Sequence, residues 1–253
     1  YGNHAFDAML GFSYFRRYVF GLSASGQGAA TDLIPTLNAS STPVSVGGNE
    51  SIFAMVGYFT RLNYNYAQKY LLSLTARYDG ASNLGTNYRW GFFPGVSLGW
   101  NVHKEDFFEN MQPYFSTLKL RASYGVNGNI SGLSDFHAQG SYAVGSRYLD
   151  ESAVTNTVLA NPNLKWEQSK TLDFGVDLGF MDNRFNILFD YYNRKTDDLI
   201  TSLTLPPSTG FSSISTNLGS LQNKGIELTL NWSAINKKNF DLNFSGNISF
   251  NQT

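Results

Sequence analysis

Residues 240–250, FDLNFSGNISF, alternate with period two almost without a break. Phe240, Leu242, Phe244, Ile248 and Phe250 fall on one side of an extended chain, with Gly246 among them. Asp241, Asn243, Ser245, Asn247 and Ser249 fall on the other. Successive side chains of a strand point to opposite faces, so this segment reads as a strand with one greasy and one wet face. The greasy face must touch either a protein core or lipid.

The pattern recurs. YLLSLTARY (70–78), LKLRASY (118–124), TLDFGVDLGF (171–180) and GIELTLNW (225–232) alternate in the same way. The apolar sides of these stretches carry no charge. The other sides carry Arg77, Lys119, Arg121, Asp173, Asp177, Glu227 and Asp241, interspersed with glycines small enough for a crowded or curved wall. Less regular strands fit at roughly 3–14, 51–66, 90–101 and 184–194. In the second of these, Phe53, Met55 and Phe59 sit opposite Ile52, Val56 and Leu62. About nine strands result, each near or above the ~9–11 residues that cross a bilayer at a tilt, where soluble strands average ~5–6.

The connections support a membrane over a core. Long segments at 15–50, 128–166 and 195–222 and a medium one at 81–89 alternate with short turns at 67–69, 181–183 and 235–238. Long loops on one end and short turns on the other describe an outer-membrane barrel. The connector 102–115 is the exception, and a short helix at the membrane edge fits it. Tyr64, Tyr66, Tyr70, Tyr78, Trp90, Trp100, Trp166, Phe180, Tyr191, Trp232 and other aromatics gather at strand ends, where rings favour the headgroup level. A soluble sandwich also alternates, but strand length, girdle and loop asymmetry argue against it.

Composition agrees. Only 15% of the 253 residues are charged, against ~25% in soluble domains, and 15% are aromatic. The net charge of −1 gives nucleic acid no footing. The absence of cysteine excludes disulfide and thiolate chemistry. No run approaches the ~18 apolar residues of a spanning helix. The chain opens in mid-pattern without an initiator Met, and an odd strand number leaves two open edges, so the expectation is a fragment of a longer barrel.

Catalytic and metal motifs fail on inspection. His4, His103 and His137 are too far apart for a zinc spacing. STLK (116–119) matches S-x-x-K at a strand start without its companion motifs, and GQGAA (26–30) lacks the strand–turn–helix setting of a phosphate loop. Asp79 in YDGAS is a candidate cation ligand, equally explained by Asp-Gly turn chemistry. A hydrolase would need His137 and Asp135 at the outer rim. No cofactor is expected.

NPNLKWEQSKTLDFGVDLGFMDNRFNILFDYYNRKTDDLI (161–200), LPPSTGF (205–211) and NLGSLQNKGIELTL (217–230) together resemble a signature of the SusC/RagA family of TonB-linked outer-membrane proteins. LNYNYAQKYLLSLTARYDGAS (62–82) and LKLRASYGVNGN (118–129) resemble the same family in the same order. The resemblance covers nearly the whole chain. It implies that residues 1–253 are part of an antiparallel transmembrane β-barrel, about nine strands of a plugged barrel of ~22 strands, with the plug and the TonB-contact segment absent from this stretch. It further implies import of glycans, oligosaccharides or peptides across the outer membrane of Bacteroidetes, with TonB supplying energy and a SusD-like lipoprotein closing over the barrel. On that reading the seven charged residues above line the lumen. Tyr142, Tyr148, Asn161 and Phe211 are candidate outer-loop substrate contacts, the alternative being loop-to-loop packing. The rival reading is a passive or structural barrel such as a porin or adhesin, which would lack a plug.

Overall fold

The computed structural model describes residues 2–253. Thirteen strands follow in order: β1 His4–Ala29, β2 Ser40–Tyr66, β3 Tyr70–Ala81, β4 Trp90–Asn101, β5 Thr117–Asn129, β6 Ser141–Tyr148, β7 Glu151–Val158, β8 Glu167–Phe180, β9 Phe185–Asp197, β10 Ile200–Thr204, β11 Ser213–Asn217, β12 Ser220–Lys237 and β13 Phe240–Gln252. Nine of them form one antiparallel sheet in the order β1-β2-β3-β4-β5-β8-β9-β12-β13. Each strand pairs with its predecessor in that list, the meander expected of a barrel wall. β6–β7 and β10–β11 are separate two-stranded hairpins inside the segments expected as long loops. The connector after β4 holds two 3₁₀ helices, Val102–Lys104 and Asp106–Met111.

Register turns alternation into two walls. Leu120 faces Val176, Val176 faces Phe189, Phe189 faces Leu228 and Leu228 faces Ile248. That apolar row crosses five strands without a charge, and nothing covers it. Phe12, Leu98, Phe174, Trp232, Phe244 and Phe250 are all exposed. A sandwich would have buried these side chains in its core. A patch of this extent has lipid as its natural solvent.

Aromatic pairs bound the apolar band above and below. At the short-turn end Tyr66 stacks on Tyr70 and Tyr70 on Trp100, each with 6.3 Å between centroids. At the long-loop end Tyr78 stacks on Trp90 at 4.9 Å and Tyr58 lies 6.4 Å from Trp90. The eight residue steps of β2 from Tyr66 to Tyr58 rise roughly 20 Å at ~3.3 Å per step and ~40° tilt, close to the ~25 Å apolar band of such barrels.

One expectation is corrected. Of residues 15–50, all but 30–39 are the upper parts of β1 and β2, paired from Phe15–Met55 up to Ala29–Ser40, and only 30–39 form a loop, closed by a 3₁₀ turn at Leu37–Ala39. β3 pairs with β2 only from Met55 to Tyr66, so the rest of that pair stands above the sheet as a two-stranded ribbon. Backbone hydrogen bonds hold it, which is why its Ser, Gly and Ala content hid it. The irregular Phe53, Met55 and Phe59 also find their reason. Phe53 and Met55 pack against a small apolar cluster at the long-loop end, and Phe59 lies under the Arg77 guanidinium at 5.3 Å.

At the short-turn rim, the Glu105 carboxylate ties the connector to the aromatic belt. It accepts from the Trp100 indole N–H at 3.0 Å and from Lys69 Nζ at 3.0 Å. The Tyr70 hydroxyl first, then Trp100 and Lys69, hold its carboxyl well below the usual range, at about 2. A carboxyl with a depressed folded-state value contributes stability above its unfolded value of 4.5, which is lost as pH falls towards about 2. The full-length barrel should therefore be more stable than its Glu105→Gln variant at neutral pH, the difference shrinking through that window. Denaturant titrations of both at a series of pH values check this; a difference independent of pH would remove the carboxylate from the account.

Candidate functional site

The polar wall begins with Arg121 on β5. Its guanidinium donates to Asp177 on β8, with Nε–Oδ1 2.9 Å and Nη2–Oδ1 2.8 Å, and to Asp190 on β9 at 2.7 Å. Register explains the reach. Arg121 faces Gly175, and Gly175 faces Asp190. A Cβ on Gly175 would stand 2.6 Å from the guanidinium carbon, so only a glycine lets the arginine cross β8. Lys119 lies opposite Asp177, and Asp190 opposite Glu227. Asp173 shares a groove with Thr171, Tyr192, Arg194, Asn223 and Glu227. Lys119, Arg121, Asp173, Asp177 and Glu227 thus converge on one polar field, joined by Asp190.

Asp190 escaped the sequence reading. The parity rule, applied to 184–194, would have found it, because Phe189 and Tyr191 are on the apolar side. The two other charged residues stand apart. Asp241 is opposite Asn236 near the short turn. Arg77 forms a bidentate pair with Asp79, Nε–Oδ2 3.0 Å and Nη2–Oδ1 2.9 Å. That pair engages both oxygens of Asp79. Among the described residues, no cluster of three His, Cys, Asp or Glu offers a metal site.

Above the wall, the outer segments lock into a mouth. Ala81, Leu84, Phe93, Ala138, Leu164 and Trp166 form a small buried core. NPNLKWE supplies much of the lock. The Asn161 amide donates to Ser215 O at 2.8 Å, Pro162 O accepts from Asn87 N at 3.1 Å, and Leu164 is fully buried. Trp166 donates from Nε1 to Arg89 O at 3.0 Å and meets Phe93 edge-on at 5.3 Å. Glu167 accepts from Ile200 N at 2.8 Å and Asn129 Nδ2 at 2.6 Å. From the other side Asn217 clasps Lys165, its amide donating to Lys165 O at 2.9 Å and its Oδ1 accepting from Lys165 N at 2.9 Å. Gly85 N bonds Leu164 O at 2.8 Å, and a Cβ on Gly85 would stand 2.8 Å from Leu164 N. The ribbon is fastened at its base, where Asp135 accepts from Arg17 at 2.6 Å and from the Ser51 hydroxyl. Those partners, Ser51 first, hold the Asp135 carboxyl below the usual range.

The four candidate loop contacts separate. Asn161 is occupied as a staple, and Phe211 is half-buried beyond the tip of the 205–210 turn. Tyr142 and Tyr148 on the β6–β7 hairpin are 67% and 72% exposed, free to meet a ligand. His137 contacts Ser215 Oγ at 2.7 Å while Asp135 is engaged by Arg17, so the acid a hydrolase would require points elsewhere.

A family model described as TonB dependent receptor-like, beta-barrel, matches residues 1–253. The chain belongs to that family. TonB-dependent receptor P3 of Formosa agariphila is 35% identical over the whole of this chain, which spans 26% of that protein. TonB-dependent receptor SusC of Bacteroides thetaiotaomicron is 39% identical over 78% of the chain, covering 20% of that protein. The RagAB peptide transporter structure superposes on 98% of the chain with a TM-score of 0.89 at 26% identity, the match covering 28% of that chain. The siderophore receptor PiuA of Acinetobacter baumannii, at 14% identity and a TM-score of 0.58, shares the fold. These likenesses place this TonB-dependent receptor segment on the SusC/RagA branch and in the outer membrane, its apolar face towards lipid.

Proposed function

We propose that this segment is part of the wall and mouth of an active importer for glycans, oligosaccharides or peptides. The observation that carries the reading is the pairing of a polar, ion-paired wall with outer segments stapled into a fixed rim, on a chain whose fold follows a peptide transporter over 98% of its length. The outer membrane holds no ATP, so TonB supplies energy through a plug encoded outside this segment. Further strands complete the cylinder beyond β1 and β13. Lys119, Arg121, Asp173, Asp177, Glu227 and, at its two ends, Arg77 and Asp241 line the lumen. A SusD-like lipoprotein covers the mouth, and Tyr142 and Tyr148 present flat faces for sugar rings or peptide side chains.

The test is uptake by cells expressing the full-length receptor. Fluorescent oligosaccharide and peptide libraries should accumulate in the periplasm only when TonB is present. Accumulation unchanged by deletion of TonB would establish a passive barrel instead.

A further inference from the structure

The lipid-facing side ends differently on its two halves. On β2, β3 and β4 it reaches the outer rim in Tyr58, Tyr78 and Trp90, which stack on one another. On β8, β9 and β12 the apolar band stops at Leu172, Tyr191 and Ile226. The next residue upward on the same face is Lys170 on β8, Asn193 followed by Lys195 on β9, and Lys224 on β12.

Register places these lysines together. Lys170 is directly opposite Lys195, and Lys224 is opposite Asn193, one diagonal step from Lys195. Diagonal neighbours are ~7–8 Å apart, within reach of long side chains. Like charges directly opposite each other destabilise a sheet. Asp197 relieves part of this, bonding Lys170 at 3.0 Å and Lys195 at 2.8 Å. Asp198 lies near enough to act on Lys170 as well, but it is engaged by Lys165 at 3.0 Å. Gln168, Asn193, Gln222 and Ser220 fill its remaining positions, Gln222 donating to Asn193 at 2.9 Å. With the Lys165–Asp198 pair neutral in sum, three lysines share the one carboxylate of Asp197, which leaves an excess of positive charge, and Lys224 has no ion pair among the described residues.

We propose that Lys170, Lys195 and Lys224 dock the phosphate of a phosphorylated lipid headgroup in the outer leaflet. Height, facing and charge all select this occupant. The row sits one residue step above the acyl-facing band, so a headgroup phosphate reaches it while its chains lie on Leu172, Phe174, Tyr191 and Ile226. It faces away from the polar wall, so cargo in the lumen does not meet it. A free phosphate would gain the same ammonium donors but none of the acyl contact. The inference stands independently of the import reading, since a passive barrel would carry the same row.

The experiment uses the full-length receptor in neutral detergent, incubated with doubly phosphorylated or dephosphorylated lipid A and read by native mass spectrometry. The Lys170→Gln, Lys195→Gln, Lys224→Gln triple variant should retain the phosphorylated lipid on the order of a hundredfold less, at about fivefold per lysine near a charged surface. Lys237→Gln with Lys238→Gln, the same kind of change at the opposite rim, should leave retention unaltered. Asp197→Asn removes the row's carboxylate and should raise retention, which keeps the proposal testable if the triple variant fails to fold. Equal retention of dephosphorylated lipid, full retention by the triple variant, no gain with Asp197→Asn, or displacement by inorganic phosphate alone would each overturn it.

Discussion

Leu228→Arg in the full-length barrel is expected to cost ~2–4 kcal/mol, and Thr229→Arg close to nothing. The two residues are neighbours on β12 and receive the same side chain, so the difference isolates facing. Leu228 lies between Phe189 and Ile248 in the middle of the apolar row. A guanidinium there must leave water for hydrocarbon or drag the bilayer inward. Thr229 lies between Leu188 and Asn247 on the polar wall, where water reaches an added cation. Denaturant titration of both variants in a phospholipid bilayer checks it. Equal losses would mean that β12 has been assigned the wrong side.

That contrast rests on parity, the part of the fold most legible in the sequence. Alternation alone located all nine wall strands and sorted their residues between two faces, because side-chain direction in a strand is fixed by the backbone. What alternation cannot carry is register. Arg121 and Asp177 were each readable as wet-face residues, but the crossing to Asp190 depends on Gly175 lying between them. The ribbon above β3 was missed for a related reason. Gly21, Gly26, Gly47 and Gly48 and the serines around them have little strand propensity, and the pairing that holds them is made by backbone groups. The mouth was missed because its contacts join segments far apart in sequence. Nothing local in Leu164 announces that it will be buried beneath residues from 82–89.

The mouth therefore yields the sharpest remaining test. Trp166→Ala should cost ~3–5 kcal/mol locally, the range for deleting a large buried aromatic. Trp166 is 6% exposed, fills the space beside Gly91 and Gly128, and spends its one donor on Arg89 O. Truncation removes the packing partner of Phe93 and leaves that carbonyl without its indole donor. The wall strands keep their own ladders, so the loss should not spread through the barrel. It should appear as faster hydrogen exchange at the amides of Gly85 and Asn87, which bond Leu164 O and Pro162 O across the same joint. Tyr142→Ala, on an exposed hairpin, should leave that exchange unchanged. If Trp166→Ala also leaves Gly85 and Asn87 protected, the outer segments are held by the wall beneath them, and the rim is not an independently packed unit.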